Sequence, residues 1–216
     1  YYLDATLRRD GTSRFAPHYK WGTFPSFAAA WRISSESFMK DLDWLNDLKI
    51  RLGWGKTGNQ ETGNFAYLSL INTCPKYALG STTGNGTIYS GSALLNYPVY
   101  DLTWETVITS NVGFDAYLLN NRLSVTVEYY HRHTDGILQT IDIPLVVGVR
   151  DNPTVNLAKV NNSGFEFQAT YTDKIGKLGY NASFNLTTIK NRVKKMYLDK
   201  PTSNDYLRIE EGYSMN

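Results

Sequence analysis

Cys74 is the only cysteine in the chain, so no internal disulfide can form and the redox compartment stays open. No apolar run approaches the roughly 18 residues that a membrane-spanning helix needs, which excludes a helical membrane protein. It does not exclude a β-barrel, whose signal per segment is far weaker. The formal charge is only +2 and is spread along the chain, which argues against a nucleic-acid surface. Histidine is scarce too, with 3 in 216 residues. These residues do not open on a signal-peptide pattern. The chain begins at Tyr1 inside an alternating run, so a piece of a longer or processed chain is expected.

Aromatics, by contrast, are plentiful: 16 Tyr, 9 Phe and 5 Trp. Rings with one apolar and one wet end suit the two interfaces of a membrane barrel, although a β-rich core would also use them. The stretch Leu102 to Ile143 carries the clearest pattern. Its first run sets Trp104, Ile108, Val112, Phe114, Ala116 and Leu118 on one face, with Thr106 and Ser110 as polar exceptions. Glu105, Thr109, Asn111, Asp115 and Tyr117 take the other face. The second run sets Leu123, Val125, Val127 and Tyr129 against Ser124, Thr126, Glu128 and Arg132. A two-residue link, Asn120-Asn121, joins them, and Asn tolerates the positive φ of tight hairpins. Soluble strands usually run about five or six residues. Strands this long suit a membrane wall, where about 9–11 residues cross the hydrocarbon alone.

The same period recurs along the chain. Tyr2 to Arg9 aims Leu3, Ala5 and Leu7 one way, and about Thr23 to Ile33 aims Phe27, Ala29, Trp31 and Ile33. Asp47 to Lys56 aligns Leu48, Ile50, Leu52 and Trp54 against Lys49 and Arg51. Gly164 to Thr172 and the run from Leu178 continue the pattern, joined by a short turn at 173–177. Between runs two and three, residues 35–46 change to a three-to-four spacing of Phe38, Leu42 and Leu45 behind Ser35. That predicts one short amphipathic helix. Residues 57–101 read as a long polar loop with local strand near Phe65 to Ile71, and residues 194–216 lose the pattern.

Connections after runs one, three, five and seven are long and polar, whereas those after two, four and six are compact. Long–short alternation is the mark of an up-and-down membrane barrel with long outside loops. The fold class expected is therefore all-β, an antiparallel transmembrane β-barrel of which residues 1–216 supply about seven strands. Seven strands cannot close in lipid, because an open edge leaves backbone groups unpaired. Further strands must lie outside this sequence. The competing reading is a secreted or periplasmic β-sandwich that binds glycans. It would have to satisfy Glu105, Asp115, Glu128 and Glu166 in its core or turn them to solvent.

Motifs of chemistry fail on context. Gly53-Trp54-Gly55-Lys56-Thr57-Gly58 fits a dinucleotide pattern by letter, but no helix follows to hold phosphate, so a strand end is the reading. His131 and His133 share a strand face, yet no further ligand cluster supports a metal. They continue the outward parity past Tyr129 as interfacial side chains. Lys190, Arg192, Lys194 and Lys195 gather where run seven meets an outside loop, which reads first as a plain solvated strand end, with a contact for anionic lipid headgroups or a nucleic-acid patch as the alternatives. No catalytic residue, metal or cofactor is expected, and the chain is not read as an enzyme. Substrate-binding candidates are the polar-face groups Arg51, Glu105, Asp115 and Glu128, with the loop tyrosines Tyr77, Tyr89, Tyr97 and Tyr100, whose rings can stack on sugar or peptide.

Four strings are distinctive: Arg8–Lys40, LKIRLGWGKTGNQ from Leu48, the hairpin Leu102–Leu138, and NLAKVNNSGFEFQATY from Asn156. Together they resemble the SusC/RagA family of TonB-dependent outer-membrane transporters, in order and over most of the chain. The resemblance is weakest over 61–100 and 195–216. It implies a barrel of about 22 strands closed by an N-terminal plug, located in a Gram-negative outer membrane. It also implies a SusD-like surface lipoprotein as lid, energy through TonB, and import of oligosaccharides or peptides. The plug and the TonB-contacting segment are not expected within this sequence.

Overall fold

The computed structural model describes residues 1–39, 42–73, 75–79, 87–197, 202–203 and 208–215. One antiparallel sheet dominates, built from β1 (Tyr2–Gly11), β2 (Trp21–Arg32), β3 (Leu45–Asn59), β4 (Glu105–Leu118), β5 (Leu123–Asp135), β6 (Ala158–Ile175), β7 (Leu178–Thr187) and β8 (Lys190–Met196). Neighbours in sequence are neighbours in space, from β1 through to β7, and β8 joins the same side of β6 as β7 does. β7 and β8 therefore act as one long seventh strand broken at Thr188 and Ile189. At the break the Phe165 N–H donates to Thr188 Oγ1 at 2.9 Å, and the Thr188 N–H donates to the Phe165 carbonyl at 2.8 Å. β6 alone runs 18 residues, about 60 Å at 3.3 Å per residue, well beyond a soluble strand.

Register keeps every apolar run on one face. Ala29 pairs with Leu3 and Leu52, Ile50 with Phe114, and Phe114 with Val127. Val127 in turn faces Phe167, and Phe167 faces Leu186. A one-residue slip anywhere would throw a run to the wrong side, so the pattern itself pins the register. No second layer covers this face among the described residues: Leu3 is 86% exposed, Phe27 57%, Phe165 56% and Phe184 57%. The β-sandwich reading required such a layer, and the described residues supply none.

Connections alternate as expected. At one end lie the long segments 12–20, 60–104 and 136–157, and at the other the segments 33–44, 119–122 and 176–177. Several boundaries differ from the sequence reading. The Asn-rich link is wider than two residues, because Leu118 pairs with Leu123 and Leu119, Asn120 and Asn121 all take positive φ. The turn after β6 narrows to Gly176-Lys177, with Gly176 at φ 62°. Segment 194–216 is not patternless, since β8 runs to Met196.

The predicted amphipathic helix takes the form of two 3-10 turns, Ile33–Ser35 and Ser37–Met39. Its bonds run from Met39 N to Glu36 O, Leu42 N to Met39 O and Leu45 N to Leu42 O, each three residues back. Of the predicted stripe, Phe38 stays exposed and Leu42 and Leu45 are only half-buried, and no buried residue lies among the described ones of this segment; Lys40 and Asp41 lie outside the described residues. Without burial a stripe this short cannot stabilise a regular helix. The expected strand at Phe65 to Ile71 is also absent. Phe65 adopts φ 57° and starts a turn, and only Ile71–Asn72 pairs, with Ala93–Leu94.

Two small cores anchor the loop end. Phe15, Phe24, Leu102 and Trp104 form one, and Leu157, Ala158, Val160, Val193 and Ile209 the other. Trp104, expected on the outward face, is instead buried edge-on to Phe15 and Phe24, with centroids 5.6 and 5.3 Å away. It precedes the first residue of β4, so strand parity does not reach it.

Candidate functional site on the polar face

Opposite the apolar face, β3, β4 and β5 bring charged residues together at mid-strand. Register pairs Lys49 with Asp115, Arg51 with Gly113, and Gly113 with Glu128. Arg51 approaches Asp115 with two nitrogens, Nε at 2.9 Å from Oδ2 and Nη2 at 3.2 Å from Oδ1, and places Nη1 3.2 Å from Glu128 Oε2. Lys49 Nζ lies 3.3 Å from Asp115 Oδ2. Asn111 Nδ2 donates to Glu128 Oε1 at 3.1 Å, and the Thr126 hydroxyl donates to Asp115 Oδ1 at 3.2 Å. Charge balances, two cations to two carboxylates, and the groups are half-buried. Pairs in that setting contribute about 0–1 kcal/mol each, so the network fixes positions more than it stabilises the sheet.

Two glycines make room for it. A Cβ on Gly53 would collide with the Asn111 carboxamide, and one on Gly113 would lie 2.7 Å from the Val127 carbonyl and 3.3 Å from Glu128 Cβ. The glycines within the Gly-rich string thus serve side-chain packing inside β3, which continues to Asn59, and no phosphate loop forms.

The sheet assembles three of the sequence candidates, Arg51, Asp115 and Glu128. Glu105 is elsewhere: its Oε2 accepts the Leu138 N–H at 3.0 Å and ties down the 136–157 loop. Tyr77 and Tyr89 face each other in the register of a small hairpin, Lys76–Leu79 with Thr87–Ser90. Tyr89, Tyr97 and Tyr100 are exposed and make no ring contact among the described residues. Cys74 lies outside the described residues. Lys49, Asn111 and Thr126 join the cluster without having been candidates from the sequence. Each sat on the polar face, but only the register across three strands shows that they meet.

At the loop end, Asp135 holds Lys159 Nζ at 2.7 Å and accepts the Tyr197 hydroxyl at 2.7 Å. Burial and the Asp135 carboxylate both push the Tyr197 phenol above its ordinary pKa. The two histidines share one partner: His133 Nδ1 is 2.6 Å from Asn161 Oδ1, and Asn161 Nδ2 is 3.3 Å from His131 Nε2. At the opposite end, Arg32 and Ser34 both serve Asp47, and Arg122 pairs with Asp173 at 3.1 Å.

Comparison with known proteins gives a consistent result. Residues 1–210 match the family model described as TonB dependent receptor-like, beta-barrel. The chain is 37% identical over 201 residues to the TonB-dependent receptor SusC of Bacteroides thetaiotaomicron, covering 91% of this chain and 19% of that protein. It is 33% identical over 216 residues to the TonB-dependent receptor P39 of Formosa agariphila, covering all of this chain and 20% of that one. Among solved structures, the RagAB peptide importer in its 'closed-closed' state superposes with a TM-score of 0.84 at 25% identity, over 98% of this chain and 23% of that chain. The chain spans about a fifth of the length of these relatives.

Proposed function

The chain belongs to the TonB dependent receptor-like β-barrel family, and on that premise we propose that it is a stretch of barrel wall from a SusC-like nutrient importer of a Gram-negative outer membrane. The observation that carries this reading is the two-sided sheet: one uncovered apolar face across seven strands, and a polar face laced with ion pairs. Hydrocarbon suits the first face and a hydrated lumen the second. Long segments at one end are then extracellular, and the compact ones periplasmic.

In this reading residues 1–216 are part of a larger plugged barrel of about 22 strands, with the plug and the TonB-contacting segment supplied by the rest of the parent protein. A SusD-like surface lipoprotein would lid the barrel, and TonB would supply energy. The cargo would be an oligosaccharide or a peptide, classes supported by the family resemblance and, for the peptide, by the likeness to a peptide importer. Arg51, Asp115 and Glu128 would line the passage, and Tyr77, Tyr89, Tyr97 and Tyr100 would meet cargo in the outer loops. The role here is transport, not catalysis.

A paired charge scan in the full-length protein tests the wall assignment. Val127→Arg puts a cation on the apolar face at mid-strand and should cost about 2–4 kcal/mol, read as loss of folded, heat-modifiable receptor in the outer membrane. Thr126→Arg, one residue away on the polar face, should be tolerated. Equal tolerance of the two overturns the barrel reading. Growth of the Asp115→Asn strain on defined oligosaccharides and on peptides then tests the passage and the cargo class.

A further inference from the structure

Above the apolar band, the outward face of the last strands turns basic. Register places Ser163 opposite Lys190, Asn161 opposite Arg192, and Lys159 opposite Lys195, with Lys194 as the extra residue of a bulge. The same β6 residues face His131, His133 and Asp135 on β5. This parity is continuous with Phe165, Phe167 and Ala169 lower on β6, so Lys190, Arg192 and Lys195 share the face of the apolar side chains. Along β8 the three cations are two and then two register steps apart, so at about 3.3 Å per step they form a row roughly 13 Å long, with Lys159 beside Lys195 on the next strand.

Among the described residues, the carboxylate in these rows, Asp135, is already engaged by Lys159 and Tyr197. Lys190 and Arg192 are exposed and make no ion pair among the described residues, and Lys195 meets only the Tyr197 ring, with Nζ 5.8 Å from its centroid. Immediately below, Tyr129 and Phe165 lean together with centroids 4.9 Å apart, and both are exposed. Aromatic rings under a row of cations are what an interfacial side chain belt presents to a headgroup above an acyl chain. Asn161, fixed between the two histidines, adds polar groups within the same rows.

We propose that this surface binds the phosphate-bearing headgroup of an outer-leaflet lipid, with Lys190, Arg192 and Lys195 contacting phosphate and Phe165 and Tyr129 contacting the first acyl carbons. The assignment rests on the outer-membrane reading above, which sets this end of the strands at the outer leaflet. Guanidinium and ammonium groups give charge-assisted hydrogen bonds to phosphate oxygens. Two phosphates on one glycolipid headgroup would match the spread of the three cations better than the single phosphate of an ordinary phospholipid. The site lies outside the barrel, on the face opposite the Arg51 network, so it is a membrane anchor point and no part of the passage.

The test uses the full-length receptor in mild detergent, titrated with diphosphoryl lipid A and, separately, with the same lipid stripped of both phosphates, followed by native mass spectrometry. The phosphorylated lipid should bind at least tenfold more tightly. Combined Lys190→Gln, Arg192→Gln and Lys195→Gln should erase that preference, while Arg132→Gln, on the other face of β5, should leave it intact. An unchanged preference in the triple variant overturns the proposal. So does an equal loss in the Arg132→Gln protein, which would make the effect one of net charge. Displacement of the lipid by excess inorganic phosphate would reassign the surface to a free anion and also overturn it. Folded receptor in the membrane fraction, together with the Val127→Arg and Thr126→Arg pair, separates failure of this site from failure of the barrel reading.

Discussion

Arg51 reaches Asp115 on a diagonal. Its own register partner on β4 is Gly113, which has no side chain, and Asp115 stands opposite Lys49. The guanidinium spans the gap that glycine leaves, with Nε 2.9 Å from Oδ2, and extends to Glu128 on the next strand at 3.2 Å. One arginine thereby links three strands on the polar face.

Such a link should matter little for stability. Water reaches both partners, and exposed pairs contribute about 0.2–1 kcal/mol. A double-mutant cycle with Arg51→Gln and Asp115→Asn, read from unfolding of the full-length receptor in lipid, should give a coupling below about 1 kcal/mol. A coupling several times larger would mean that this face is dry.

Glycine substitutions should fall in an order set by what the added methyl meets. At Gly164 the obstacle is the Thr188 backbone carbonyl, at Gly113 the Val127 carbonyl at 2.7 Å, and at Gly53 the movable Asn111 side chain. Alanine at 164 or 113 should cost about 1–3 kcal/mol, and at 53 clearly less. Thermal loss of the heat-modifiable band ranks them, and a costlier Gly53→Ala than Gly113→Ala would contradict the packing.

Trp104 is 7% exposed and packs edge-on between Phe15 and Phe24. Trp104→Ala should cost about 3–5 kcal/mol and open the loop end to limited proteolysis, while Trp104→Phe should retain most of the packing. Full protease resistance in the alanine variant would show that these loops are held by something else.

The β4–β5 turn has a residue its backbone does not favour. Leu119 takes φ 54°, a left-handed conformation that costs a side-chain-bearing residue about 1–2 kcal/mol. Leu119→Gly should therefore leave stability unchanged or raise it by about 1 kcal/mol, despite the flexibility glycine adds. Asn121→Val, at φ 63°, should lower it. Unfolding midpoints of the two variants moving the other way would overturn the turn assignment.

Strand parity made the wall legible. Alternation from Leu123 to Tyr129 or from Leu178 to Leu186 has one physical solution once a face must be apolar, and register follows from it. What escaped lay where parity stops. Trp104 sits one residue before β4 and takes its direction from Phe15 and Phe24. Phe38 and Leu42 have helical spacing, but the local chain closes in three-residue turns. Val193 is buried with Val160, yet its strand hid among the lysines around it. The Arg51 network was half legible: Asp115 and Glu128 could be put on one face, but their meeting with Lys49, Asn111 and Thr126 depends on pairing between three strands that no local pattern specifies.

The central claim is that lipid touches the apolar side of this sheet and water the polar side. Spin labels placed one at a time from Leu123 to Tyr129 in the full-length receptor, reconstituted in bilayers with Cys74 replaced, measure this directly. The account predicts that labels at 123, 125, 127 and 129 collide with oxygen dissolved in the membrane, and labels at 124, 126 and 128 with a water-soluble nickel chelate. Uniform exposure to the chelate along the strand, or the opposite alternation, would contradict it.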